Sequence, residues 1–315
     1  MLSKIYEKIK IFIKENYKFI LSLIAIVFLL TYELPYVVYT PGGIVNLEKR
    51  ISVKNGYDSK GSINMSYVTL RKGNIPSILL SYVIKDWDLL KESEVTGSDE
   101  SVDDLLKLEK LYMTSSIDNA TILAYKKANK KINIKKNINN VIYVSENAKT
   151  DISLYDIILS VDGKDINNIK ELQDYIKTKN EGDIVYFKVI SNKKEVDRKA
   201  EVININGELK VGIAFLTTYE YETDPSITVK TKSSESGSSG GLMLSLAIYN
   251  AITKEDITKG KTIVGTGTID VLGNVGKIDG VKYKILGAVK NKADLFICPK
   301  DNYDEAMKIK KEHNL

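Results

Sequence analysis

The 315-residue chain holds one cysteine, Cys298, one histidine, His313, and three arginines, Arg50, Arg71 and Arg198. A single cysteine rules out an intrachain disulfide framework and a cysteine-rich zinc site. A single histidine at the far C-terminal end gives a Ser-His-Asp triad only that end to draw on, and it rules out an H-E-x-x-H zinc site. So few arginine forks provide poorly for phosphate and base readout, so no nucleic-acid partner is expected. The Gly260-Lys261-Thr262 tripeptide has Glu255 where a phosphate loop needs its first glycine, so no nucleotide is expected. Nothing implies a metal or an organic cofactor. A hydrolase built from this chain must work without histidine, cysteine or a standard zinc site.

What is present is ordinary globular composition, 43% hydrophobic and 28% charged with a net charge of +5, at a length that suits about two domains. Residues 1–18 form a basic segment with Lys4, Lys8, Lys10, Lys14 and Lys18 against Glu7 and Glu15. An uncharged apolar run, Phe19 to Tyr32, follows, and after Glu33 it resumes as Leu34 to Tyr39. The run by itself is shorter than the roughly 20 residues of a spanning helix. Tyr17, Tyr32, Tyr36 and Tyr39 stand where interfacial aromatics belong, and Lys14 and Lys18 can snorkel. Residues 19–39 are therefore expected to be a transmembrane signal anchor, with 1–18 cytoplasmic and the remainder outside the cell membrane. The alternatives are a cleaved signal, against which the lack of an A-x-A-like site counts, and a buried core helix.

Three regions follow in what is expected to be an α+β chain. Residues 40–136 mix strand-like pieces (51–53, 62–70) with helical periodicity from Pro76 onward, and are expected to pack with the next region. Asp103 to Met113 puts Leu105, Leu108 and Tyr112 on one helix face, and Asp118-Asn119 is expected to cap a second helix. Residues 137–206 read β–β–α–β–β, with strands at 141–144, 157–161, 184–190 and 195–203 and an amphipathic helix from Ile169 to Lys177. The segment Asp156-Ile-Ile-Leu-Ser-Val-Asp-Gly-Lys164 before that helix resembles the "G-D-x-I-L-x-V-D-G" of PDZ domains. The resemblance implies a domain that binds extended peptides by strand addition. Tyr155 replaces the family's glycine, and no glycine-rich carboxylate-binding loop precedes Val141.

Residues 207–315 carry the chemistry. In a serine-rich stretch that includes Ser233, Ser234 and Ser236, the loop Gly237-Ser238-Ser239-Gly240-Gly241 feeds an apolar helix, Leu242 to Ile252. A helix N-terminus offers unpaired N–H groups and the positive end of the dipole, where an oxyanion is stabilised. A serine there is a candidate nucleophile. With histidine effectively absent its base would be a lysine, which burial must bring from about 10.4 down toward neutrality. Lys282 lies near the start of a second apolar-periodic helix, beside small residues.

This region resembles the proteolytic domain of the Lon family. The family's "G-P-S-A-G" loop matches Gly237 to Gly241, and its "T-G-E-I" matches Thr266-Gly267-Thr268-Ile269. Its "G-x-V-x-x-I-G-G-[LIV]" type segment matches Gly273 to Val281, with Lys282 the first lysine after it, and its proline-ended strand matches Leu295 to Pro299. Lys282 stands 43 positions after Ser239, the family's spacing. An anchor, a PDZ-like domain and a Lon-type domain in one chain resemble the membrane-anchored Lon-like proteases of Gram-positive bacteria.

The resemblance implies a Ser-Lys dyad, with Ser239 as nucleophile, Lys282 as general base and Thr266 orienting that lysine. It implies an ATP-independent serine endopeptidase whose partners are the lipid bilayer and peptide or unstructured protein, drawn from secreted peptides or exposed membrane-protein segments. Three departures bear on this. Ser238 replaces proline and loosens the loop, Gly240 replaces alanine, and Asp279 puts a carboxylate where glycine is usual and works against a neutral lysine. Ser238 is the alternative nucleophile after a register slip. A catalytically inactive, membrane-anchored PDZ/Lon-like adaptor is the alternative function.

Overall fold

The computed structural model describes residues 2–96, 102–233 and 235–315. Ser234 of the serine stretch lies outside them.

A 30-residue helix, α1 (Leu2–Thr31), opens the chain and is followed at once by strand β1 (Glu33–Asn46). This corrects the anchor expected over 19–39. Leu34 to Tyr39 are strand, and Val37 and Val38 are buried in the core. The apolar part of α1, Phe19 to Thr31, reaches about 20 Å at 1.5 Å per residue, against a hydrocarbon thickness of about 30 Å. Among the described residues no helix is long and apolar enough to cross a membrane.

Next come β2 (Ile51–Val53), β3 (Ser62–Asn74), α2 (Ile75–Val83), β4 (Asp88–Lys91) and the short α3 (Glu92–Thr96). Asn74 caps α2 by accepting from the Ser77 N–H at 3.0 Å, while the Ser77 hydroxyl accepts from the Asn74 N–H at 2.9 Å. Helix α4 (Val102–Lys127) then runs unbroken through Asp118-Asn119, where a second helix was expected to begin. The reason is tertiary. The Asp118 carboxylate does not cap its own chain but accepts from the Tyr219 N–H of another element at 2.9 Å.

The middle of the chain is β5 (Lys131–Val144), β6 (Ile157–Val161), β7 (Lys164–Asp165), α5 (Ile169–Ile176), β8 (Ile184–Ser191), β9 (Lys194–Glu201), the hairpin β10 (Ile203–Ile205) and β11 (Glu208–Lys210), and β12 (Ile213–Asp224). The sheet order is β12-β5-β6-β8-β9, with β7 on β6. In β8, Val185, Phe187 and Val189 are buried while the residues between them face out, the period of two that a half-covered strand requires. Leu172 and Ile176 of α5 close the core over this sheet. Strand β12, which the sequence reading assigned to the C-terminal region, thus belongs to this sheet.

The last part contains β13 (Ile227–Val229), α6 (Gly241–Ile252), β14 (Thr262–Gly265), β15 (Thr268–Ile269), β16 (Val275–Gly276), α7 (Val281–Lys290), β17 (Leu295–Ile297) and α8 (Tyr303–Glu312). Its sheet, β17-β14-β3-β1-β4, draws three of five strands from before residue 92. Leu47, Ile63, Met65, Met113 and Tyr125 share one core with Met243, Ile248, Ile252 and Ile263. Residues 40–136, expected to pack with the PDZ-like stretch, instead largely complete the C-terminal domain, and the middle sheet is inserted between its halves.

Candidate active site

Ser239 sits at the N-terminus of α6, on a loop pinned from both sides. From α4, the Glu109 carbonyl accepts the Gly237 N–H at 2.8 Å and the Ser116 hydroxyl donates to the Ser238 carbonyl at 3.1 Å. From beyond β14, the Thr266 hydroxyl at 3.0 Å and the Gly267 N–H at 2.7 Å both donate to the Ser239 carbonyl. These bonds fix the loop without the family's proline, so Ser238 at that position does not leave it loose. Gly237, with φ at 91°, takes a conformation that L side chains rarely adopt. A side chain at Gly240 would meet the Met65 sulfur at 2.7 Å, so Met65 fills the space that the family's alanine would take.

Ser239, Gly237 and Gly240 line a cleft of about 610 Å3, walled across from them by Met65, Tyr67 and Val68 of β3. Ser238 does not line it, which favours Ser239 over its neighbour as nucleophile. Among the described residues, the N–H groups of Ser239 and Gly240 are bonded to nothing in the chain. They lie at the positive end of α6, where an oxyanion is stabilised. Arg50 and Glu235 form an ion pair at the rim of the cleft.

Thr266 is fully buried and is bound to the nucleophile loop, not to Lys282 as expected. Lys282 is also placed differently from expectation. Its Nζ lies 2.7 Å from Asp88 and 3.6 Å from Asp86, on the face of α7 where His313 also meets Asp86 at 3.5 Å. Lys282 is thus held between two carboxylates, and neither it, His313 nor Lys284 is among the residues that line the Ser239 cleft. The lysine with the required environment is Lys284, two positions on. It is 4% exposed, and burial pulls its ammonium down to about 8 against the opposing carboxylates of Asp279 and Glu109. Asp279, the unexpected carboxylate, therefore acts on Lys284. Glu109 carries an opposing charge that acts on this lysine, and its backbone holds the loop that contains Ser239. Burial raises its carboxyl and the Lys284 charge lowers it, while its backbone holds Gly237 and its Oε2 lies 2.9 Å from where a Gly237 side chain would begin.

Lys284 escaped the sequence reading because Lys282 satisfied the spacing. A signal was there. On a helix starting at Val281, Lys284 shares a face with Val281, Ile285 and Ala288, all buried, whereas Lys282 does not.

A second cleft, of about 370 Å3, lies between α5 and the start of β12, with Leu172 and Ile176 on one wall and Val211, Gly212 and Ile213 on the other. β12 is the outer strand of its sheet beside it. A single glycine, Gly212, with φ at 71°, stands beside this cleft in the turn that leads into β12.

A family model for the PDZ domain matches residues 135–202, and one for the Lon protease (S16) C-terminal proteolytic domain matches residues 229–314. Among solved structures, the PDZ domain of an SdrC-like protein from Listeria monocytogenes is similar at 20% identity, covering 27% of this chain and 93% of that one with a TM-score of 0.25. That of an SdrC-like protein from Listeria innocua is similar at 26% identity, covering 25% and 92% with a TM-score of 0.23. No curated protein matches the chain. The chain thus combines a PDZ domain with a Lon-type (S16) proteolytic domain, the make-up of a Lon-like protease carrying a PDZ module.

Proposed function

We propose that the protein is an ATP-independent serine endopeptidase in which Ser239 is the nucleophile and Lys284, in place of Lys282, is the general base. The observation that carries this is a buried lysine drawn down to about 8, coupled through Glu109 to the loop that presents Ser239 at a helix N-terminus. Neutral Lys284 takes the proton as the Ser239 oxygen attacks the scissile carbonyl. The N–H groups of Ser239 and Gly240 receive the oxyanion. Collapse expels the leaving amine, which takes the proton back from Lys284, and leaves an ester on Ser239. Water, deprotonated by Lys284, attacks that ester and frees the serine. The cleft between α5 and β12 supplies an apolar wall and an open strand edge for an extended peptide, so the PDZ domain recruits the chain to be cut.

We place the protein at the cell membrane through α1, with its lysine-rich start on the cytoplasmic side and the catalytic domain outside. Supporting this, the apolar residues from Phe19 to Leu30 are mostly exposed on the helix surface. The short run is matched to a bilayer by snorkelling of Lys14 and Lys18 and by local thinning. Substrates are then secreted peptides or unstructured segments of membrane proteins.

The test is digestion of an unfolded protein by the full chain in vesicles without ATP, beside Ser239→Ala and Lys284→Met, with products read by mass spectrometry. Cleavage by the parent alone is expected. Cleavage surviving Ser239→Ala would overturn the assignment, and peptide capture with no cleavage by any form would make the protein an adaptor.

A further inference from the structure

Helix α2 buries none of its residues, although its nine positions read IPSILLSYV. Leu79, Tyr82 and Val83, at the spacing that shares one helix face, are 61%, 77% and 81% exposed. Ile78 turns the other way and meets the sheet near Gly73. So much apolar surface on one short element marks an interaction face.

Its position says what covers it. The residue that caps α2, Asn74, also donates its Nδ2 to the Leu30 carbonyl of α1 at 2.8 Å. That carbonyl is one that the end of α1 leaves without a helical partner. The exposed face of α2 is thereby fastened beside the last turn of α1, where Phe28, Leu29, Leu30 and Tyr32 are also exposed. Arg71 and Lys85 flank α2, and among the described residues neither makes an ion pair. The acidic residues beyond it, Asp86 and Asp88, are matched by Lys282. The chain's one tryptophan, Trp87, follows in the same turn.

We propose that α2 is a second membrane-contact element, lying in the headgroup region beside α1 with Leu79, Tyr82 and Val83 in the acyl boundary and Arg71 and Lys85 against anionic headgroups. The inference rests on the membrane attachment of α1. It implies that the catalytic domain sits against the bilayer surface rather than on a free tether, within reach of chain segments that emerge close to the membrane.

Trp87 makes the test direct. The full chain is bound to phosphatidylcholine–phosphatidylglycerol vesicles with and without bromine on the acyl chains near the headgroup, and compared with the double variant Leu79→Glu/Val83→Glu. Expected are co-sedimentation of both forms, a blue-shifted and bromine-quenched Trp87 in the parent, and loss of shift and quenching in the variant. Co-sedimentation with an unquenched Trp87 in the parent, or equal quenching in the variant, would overturn the role of α2 while leaving that of α1. Failure of the parent to co-sediment would remove both. If Trp87 is unquenched and the parent self-associates in detergent while the variant does not, the face belongs to a second copy of the chain and the proposal falls.

Discussion

Lys282 and Lys284 leave helix α7 on different sides, one into an ion pair with Asp88 at 2.7 Å, the other into a site where 4% of it remains exposed. Two positions on an α-helix are about 200° apart, so neighbours in sequence receive opposite surroundings. Replacing each by methionine separates their roles. Lys284→Met should lower kcat/KM by about 10^2–10^4-fold. Lys282→Met should leave turnover within about threefold of the parent, since it removes a partly exposed ion pair. Peptide hydrolysis by the two variants checks this, and loss in Lys282→Met alone would restore the sequence assignment.

The pH dependence follows from the same lysine. Burial lowers the Lys284 ammonium from 10.5 to about 8, so the neutral base gains population as pH rises. kcat/KM should climb about tenfold per pH unit below that value and level off above it. Stability carries the same sign. A lysine whose folded pKa is depressed disfavours the fold while charged, so stability rises with pH between about 8 and 10.5. Lys284→Met should therefore melt higher than the parent at pH 7, by an order of 1–3 kcal/mol, while losing activity. Melting curves at pH 7 and pH 10 test it, and a variant less stable than the parent at pH 7 would show that the burial penalty is absent.

Met65 and Gly240 form a complementary pair. A side chain at Gly240 would lie 2.7 Å from the Met65 sulfur. Gly240→Ala should cost about 1–3 kcal/mol through overpacking, and Met65→Ala should cost about 2–4 kcal/mol through the cavity it leaves. The double variant should be more stable than the sum of the two predicts. A denaturation cycle measures the coupling, and strict additivity would mean that the loop moves aside.

Asp118 is a buried carboxyl between α4 and β12, pushed up to about 6 by burial although the Tyr219 N–H and the Tyr221 side chain hydrogen-bond to it. Its ionised form is disfavoured by the fold, so it weakens the protein increasingly as pH rises from about 4 through 6. Asp118→Asn keeps an acceptor for the Tyr219 N–H and sheds the charge. Its melting temperature should exceed the parent's at pH 7.5 by the equivalent of about 1–3 kcal/mol, and the gap should close toward pH 4. An advantage that does not shrink on acidification would mean that Asp118 is not the titrating group.

The amino-acid sequence alone determined the elements whose periodicity is local and strong: the strand alternation of 184–190, the helix of 169–176, and the small-residue loop running into the apolar helix at 241–252. It also left histidine and cysteine chemistry little to draw on and made Ser239 the candidate nucleophile, because a small-residue loop and the helix that follows it are contiguous in the chain. Only the tertiary structure decided the rest. The resumed apolar run Leu34 to Tyr39 reads as membrane until β3 and β4 are seen to pair with it, since a buried strand and the end of a spanning helix share one composition. Asp118 reads as a helix cap until Tyr219, from a strand about 100 residues away, is found to use its carboxylate. The lysine could not be settled by spacing, because its protonation is set by what surrounds it. Burial of Lys284, the carboxylates of Glu109 and Asp279, and the pairing of Lys282 with Asp88 all come from residues brought together by folding.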